Sequence, residues 1–224
     1  MLKFKSAPVV DDSALIESKE INPWRKGAAK KKEQFVITVA GVEQKSGVTH
    51  LCLSLALKAS QRGINCAVIL PRESFDALRH YYVLSASEET GGSQKEPRQF
   101  AHFAGLNIMS GVLPGDLEGY QLIVWDCAVL PQGQRRFSHG DLRCIVSGGQ
   151  AWELTPLSNL LAHIDYAELK YCVACIRGAA QSDYLHIEQQ MAQKLPCINI
   201  LHKADWTDVA LREDLLAILR LARF

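Results

Sequence analysis

The residues best suited to chemistry crowd into one short stretch, GVEQKSGVTH, which holds Gly41, Lys45, Ser46, Gly47, Val48, Thr49 and His50 between two apolar segments. Glycines let the backbone turn tightly. A turn that opens a helix aims backbone N–H groups and the positive end of the helix dipole at an anion. The chemistry such a stretch offers is phosphate binding. Thr49 supplies a hydroxyl for a magnesium ion, and Lys45 supplies a counter-charge within the loop. A working loop ends in Gly-Lys-Ser/Thr, whose lysine reaches the β- and γ-phosphates. Here Val48 stands at the lysine position and cannot neutralise charge. His50 follows the hydroxyl and reads as helix surface.

The flanking elements place this stretch at a sheet edge. Residues 35–40 are a run rich in β-branched residues, read as a buried parallel strand. From residue 48 to 62 the apolar residues fall at helical spacing, and Gly63 ends the helix. Further strands are expected at 65–70, 105–109, 120–127, 142–146, 171–176 and 197–201, with helices at 74–84, 152–163, 182–194 and 207–223. Residues 88–99, charged and glycine-bearing, read as a surface loop. Alternating strands and helices argue for a three-layer α/β/α fold with a mainly parallel sheet. Asp126 ends the strand YQLIVWD at the carboxyl edge where open α/β sheets bind ligands, so it is the candidate partner of Mg²⁺. Trp152, after the turn Ser147-Gly148-Gly149-Gln150, reads as an anchor of its helix on the sheet, with a partner contact as the other reading.

Composition narrows the class. The chain has 224 residues, 48% hydrophobic, with formal net charge +1. That suits one α/β domain and gives no global field towards nucleic acid or an acidic membrane. Residues 1–20 lack a continuous apolar core, and no run approaches the ~20 apolar residues of a membrane span. A cytoplasmic protein is expected. The seven cysteines sit mostly inside apolar runs, as reduced thiols do. Cys172 and Cys175 have CxxC spacing, but on a strand they point to opposite faces. No zinc or redox cofactor is expected. Residues 1–34, polar and carrying Arg25, Lys26, Lys30, Lys31 and Lys32, read as a flexible basic arm ahead of a domain spanning 35–224.

The stretch AGVEQKSGVTHLCLSLA and the aspartate ending a later strand resemble the MinD/ParA family of deviant Walker-A P-loop proteins. Within it they resemble the degenerate TadZ/CpaE-like members of bacterial pilus-assembly systems. The resemblance implies ATP and Mg²⁺ as ligands, with Gly41, Lys45, Ser46, Gly47, Val48, Thr49, His50 and Arg177 around the nucleotide and Thr49 and Asp126 at the metal. It also marks departures. The family's signature lysine falls on Glu43, its two glycines on Gln44 and Lys45, and its second lysine on Val48. The aspartate that orients water has Glu73 as its nearest equivalent, the one residue of the three there able to act as a base. The asparagine that reads adenine is replaced at Ile176 and Arg177.

These departures point to a pseudo-ATPase or a very weak ATPase, a scaffold working through protein partners, with a homodimer as one form. The alternatives are an active ATPase using Lys45 and Glu73 as substitutes, and a nucleic-acid partition module. Near-neutral charge argues against the last. MinD-like members use a basic amphipathic tail as a peripheral membrane contact. Here Glu213 and Asp214 interrupt the basic residues of the last helix, which is expected to pack on the sheet.

Overall fold

The computed structural model describes residues 34–82, 86–89, 98–163, 169, 171–180, 187–189, 195–201 and 205–224. Of the expected arm only Gln34 is among them, and most of the 182–194 segment lies outside. In chain order the elements are β1 (Phe35–Gly41), α1 (Val48–Gln61), β2 (Cys66–Ile69), α2 (Arg72–Tyr82), β3 (Ala86–Glu89), β4 (Arg98–Phe103) and β5 (Leu106–Ser110). After a 3₁₀ turn (Pro114–Asp116) come β6 (Leu122–Val129), α3 (Gln134–Phe137), β7 (Leu142–Gly148), α4 (Ala151–His163), β8 (Cys172–Arg177), β9 (Cys197–Ile200) and α5 (Glu213–Leu221).

The nine strands form one sheet in the order β3-β4-β5-β2-β6-β1-β7-β8-β9. Pairing is parallel from β5 across to β9, whereas β3–β4 and β4–β5 are antiparallel. β1 is an inner strand, between β6 and β7. Connections before β1's position run towards β2 and β5, and those after it towards β8 and β9, so the β1/β7 boundary is the topological switch point.

Strand period decides which core each residue joins. Ile37, Val39, Val68, Val124, Val146 and Cys175 face the layer of α1, α2 and α5, with Leu51, Phe75 and Leu215 packed on them. Val36, Ala40, Ile69, Ile123 and Cys172 face the other layer, covered by Leu157 and Leu161 of α4 and Phe137 of α3. Cys172 and Cys175 thus join opposite cores, as their spacing on a strand requires. All seven cysteines are free, and all but Cys197 are buried.

Several expectations are corrected. Residues 88–99 are not one loop: Glu88 and Glu89 end β3, and Arg98 and Gln99 begin β4. The segment RQFAHF fully buries only Gln99 and Ala101, so it lacks the continuous apolar run that marks the parallel strands. Helix α2 starts at Arg72, two residues early, because Pro71 has the backbone angle a helix start wants and Glu73 suits the first turn. Helix α5 starts at Glu213 rather than 207. Upstream of it, the buried Lys58 ammonium on α1 donates to the Val209 and Ala210 carbonyls, at 2.9 and 2.7 Å. The Val209 carbonyl also accepts from Arg212 N–H at 3.2 Å, a single turn ahead of the helix. As expected, α5 packs on the sheet, burying Leu215, Ile218 and Leu219. Trp152 is not an anchor: it is 73% exposed at the first turn of α4. Among the described residues no helix is long and apolar enough to cross a membrane.

Candidate functional site

The loop between β1 and α1 is shaped by a few close approaches. Gly41 ends β1, and a Cβ there would collide with Ser46 Oγ and press on the Glu43 carbonyl and a Val48 methyl. Val42 N–H donates to the Val146 carbonyl of β7 at 3.1 Å, fixing the loop's exit to the switch point. Two residues take left-handed backbone, Lys45 at φ 64° and Gly47 at φ 93°. Gly47 is the residue before α1, and no side chain caps the helix there. Its first turn therefore presents uncapped N–H groups, as an anion site does. Ser46 is 3% exposed, and its Oγ has no hydrogen-bond partner.

Thr49 and Asp126, placed together on sequence grounds, meet. The Thr49 hydroxyl donates to Asp126 Oδ2 at 2.6 Å, and Ser74 Oγ lies 3.3 Å from Thr49 Oγ1. Asp126 Oδ1 accepts from Ala128 N–H at 2.8 Å. Burial raises the Asp126 carboxyl above its ordinary range, while the Thr49 and Ala128 hydrogen bonds and the Arg136 charge pull it back. Two hydroxyls and a carboxylate are hard oxygen donors of the kind Mg²⁺ takes, and they fit such an ion when a phosphate completes its shell. Among the described residues no cluster of three or more His, Cys, Asp or Glu could hold a metal unaided.

On the other side of the loop lies Arg177, the last residue of β8. A Cβ on Gly47 would sit 3.3 Å from both Cδ and Nη1 of Arg177, so the side chain lies against the turn. Arg177, Gly47, His50, Leu51, Val146 and Ile200 line a cavity of about 60 Å³ at the switch point. His50 is thus part of a cavity wall and not open helix surface.

The remaining candidates do not converge. Val48 is buried in the α1 core, 7% exposed, and offers the loop only methyl groups. Lys45 is exposed at the loop's outer bend. Glu73 is exposed on α2, and the α2 residue that faces Thr49 is its neighbour Ser74. Sequence reasoning missed Ser74 because it sought a carboxylate and set the helix start two residues late; each residue of offset rotates a side chain by about 100°. Arg136 was missed as well, arriving near Asp126 from a four-residue helix. Farther along the rim, Glu153 accepts from Gln150 N–H at 3.1 Å and its carboxylate occupies the space over Gly148. Its role is to hold the turn before α4, which leaves Trp152 facing outward.

The sequence matches no protein-family model and no curated protein. The structure does have counterparts. It superposes on the putative plasmid partition protein of Borrelia burgdorferi B31 bound to AMPPNP with a TM-score of 0.55 at 11% identity, covering 85% of this chain and 98% of that one. A chain of the MinC:MinD cell division protein complex of Aquifex aeolicus gives 0.53 at 12% identity, over 84% and 94%. The fold is the MinD/ParA type of P-loop NTPase. At such identities the likeness is one of architecture. Thr49, which opens α1, and Asp126 of β6 nevertheless stand in one place beside the β1–α1 loop, with Val48 buried between Gly47 and Thr49.

Proposed function

We propose that this chain is a degenerate MinD/ParA-like P-loop protein, a pseudo-ATPase or very weak ATPase that acts as a scaffold through protein partners. The observation that carries this reading is Val48. The one residue of the loop's end that should bring charge to a triphosphate is an aliphatic side chain sunk in the core. Lys45 and Glu73, the two substitutes an active enzyme would need, are both exposed, and among the described residues neither makes a hydrogen bond or ion pair to Thr49 or Asp126. Misplacement of a catalytic group by about 1 Å can already cost 10²-fold in rate.

The Thr49–Asp126–Ser74 set favours the nucleotide-responsive form of this reading, in which ATP·Mg²⁺ binds weakly and biases a partner contact. Exposed Trp152 supports such a contact, since large aromatics are the common anchors of protein interfaces. The assembly served is, on the loop's likeness to TadZ/CpaE-like members, of the pilus or secretion kind. A homodimer is one form the scaffold would take. Nucleic acid and membrane have no part in the reading: the chain's net charge is +1, and α5 is packed on α1 and β9 through buried Leu215, Ile218 and Leu219.

Titration of the full chain with ATP and ADP, with and without Mg²⁺, by calorimetry, together with a phosphate-release assay, tests it. Weak binding with no release above background is expected. Brisk Mg²⁺-dependent release that Asp126→Ala abolishes would overturn it.

A further inference from the structure

The loop lacks its own lysine, yet one guanidinium rests against it. Arg177 comes from β8, two strands away from β1, and lies on Gly47 with Cδ and Nη1 at 3.3 Å from the Cβ position. Its side chain is half-buried and makes no hydrogen bond or ion pair among the described residues. An arginine held at a helix start without a carboxylate partner is a phosphate-binding group waiting for its anion, because the planar fork matches phosphate oxygens in pairs. A second, independent group points to the same ligand. Ser46 Oγ is buried inside the turn over Gly41 without a partner, and a buried hydroxyl left unsatisfied is costly. A phosphate oxygen at the turn would supply the acceptor it lacks.

The wall beyond Arg177 is different in kind. Among the described residues, Leu51, Val146, Ile200 and Leu201 offer only hydrocarbon there, and His50 is the other polar side chain lining the cavity. Reading a base requires donors and acceptors matched to its edge. This wall has almost none.

We propose that Arg177 supplies from β8 the positive charge the loop has lost, so that the site holds a phosphate-bearing ligand by its phosphates and is indifferent to the base. The proposal rests on the reading of the loop as a surviving phosphate cradle, and makes it specific: a di- or triphosphate group is the recognised chemistry. Glu43, the loop's own carboxylate, works against it.

The test uses the full chain at low salt, titrated by calorimetry with inorganic pyrophosphate, ADP and GDP. Pyrophosphate is expected to bind, and ADP and GDP to agree within about threefold. Arg177→Ala should weaken all three by about tenfold or more, the loss typical of a charge-assisted hydrogen-bonded pair. Arg177→Lys should keep part of the affinity, and Glu43→Gln should tighten pyrophosphate a few-fold. Should Arg177→Ala fail to fold, Arg177→Gln keeps the stem and carries the same expectation. Pyrophosphate binding that survives loss of the guanidinium, a preference above tenfold between ADP and GDP, or no binding of pyrophosphate by the wild type would each overturn the inference. Rapid Mg²⁺-dependent turnover would sink the scaffold reading and leave Arg177's role intact, whereas absent anion binding does the reverse.

Discussion

At the residue scale, two positions hold conformations or charges that cost stability. Lys45 sits in the left-handed region at φ 64°, where a side chain costs roughly 1–2 kcal/mol that glycine does not. Lys45→Gly should therefore raise unfolding free energy by about 1 kcal/mol in chemical denaturation, after allowing for the greater freedom of glycine in the unfolded chain. No gain, or a loss, would show that the lysine makes a stabilising contact in solution. Asp126 is the second. Its folded carboxyl is raised above the ordinary value mainly by burial. A raised acid contributes stability that is full below the unfolded value and is lost as pH rises through the folded one. At pH 7 the buried charge is thus a burden. Asp126→Asn, whose amide can donate to Thr49 while its oxygen still accepts from Ala128, should raise Tm by a few degrees at pH 7. The advantage should shrink as the pH falls towards the unperturbed carboxylate range. A variant less stable than wild type at pH 7 would contradict this.

At the element scale, α1 carries the loop at one end and Lys58 near the other. Lys58 is 7% exposed and donates to the Val209 and Ala210 carbonyls, so it ties α1 to the segment before α5. Lys58→Met keeps the stem but removes the ammonium; the Val209 carbonyl keeps its bond from Arg212 N–H and Ala210 is exposed, so the loss should be about 1–3 kcal/mol in total. The unfolding free energy should fall by an amount in that range, and an unchanged value would mean that water replaces the ammonium. This tie could not be read from the chain: Lys58 lies in a helix of apolar residues and looks like a solvated lysine on its edge. The parallel strands were legible, since both faces of β1, β6 and β8 are buried and their residues run apolar without a break. β3 and β4 were not, because ASEE and RQFAHF carry charged and polar residues and neither is a continuous apolar run. The same limit applies to the site. Thr49 and Asp126 could be paired because Thr49 follows one recognisable strand and Asp126 lies in another, although β6 runs on to Val129 rather than ending at Asp126. Ser74 and Arg136 depend on helix phase and on a four-residue turn, neither of which is written in local pattern.

At the scale of the molecule, a single sheet separates two cores, and thiols sit in both. Cys52 and Cys175 lie in one, Cys127 and Cys172 in the other. Burial pushes the Cys66 and Cys197 thiols up to about 11, so little thiolate is present near neutral pH. A thiol reagent at pH 7.5 should label the native protein slowly, Cys197 first, and the other six together only when the sheet unfolds. Labelling of one core's cysteines ahead of the other's would mean that the two layers open separately. The guanidinium at the end of β8 shows what such a sheet imposes on its loops. Successive residues of a strand face opposite layers, and Arg177 shares its side with Val173 and Cys175. A single residue inserted anywhere in β8 would carry that cation through the sheet to the α4 side, 180° from the turn it serves. Along this strand, changes of length should be far less tolerable than changes of side chain.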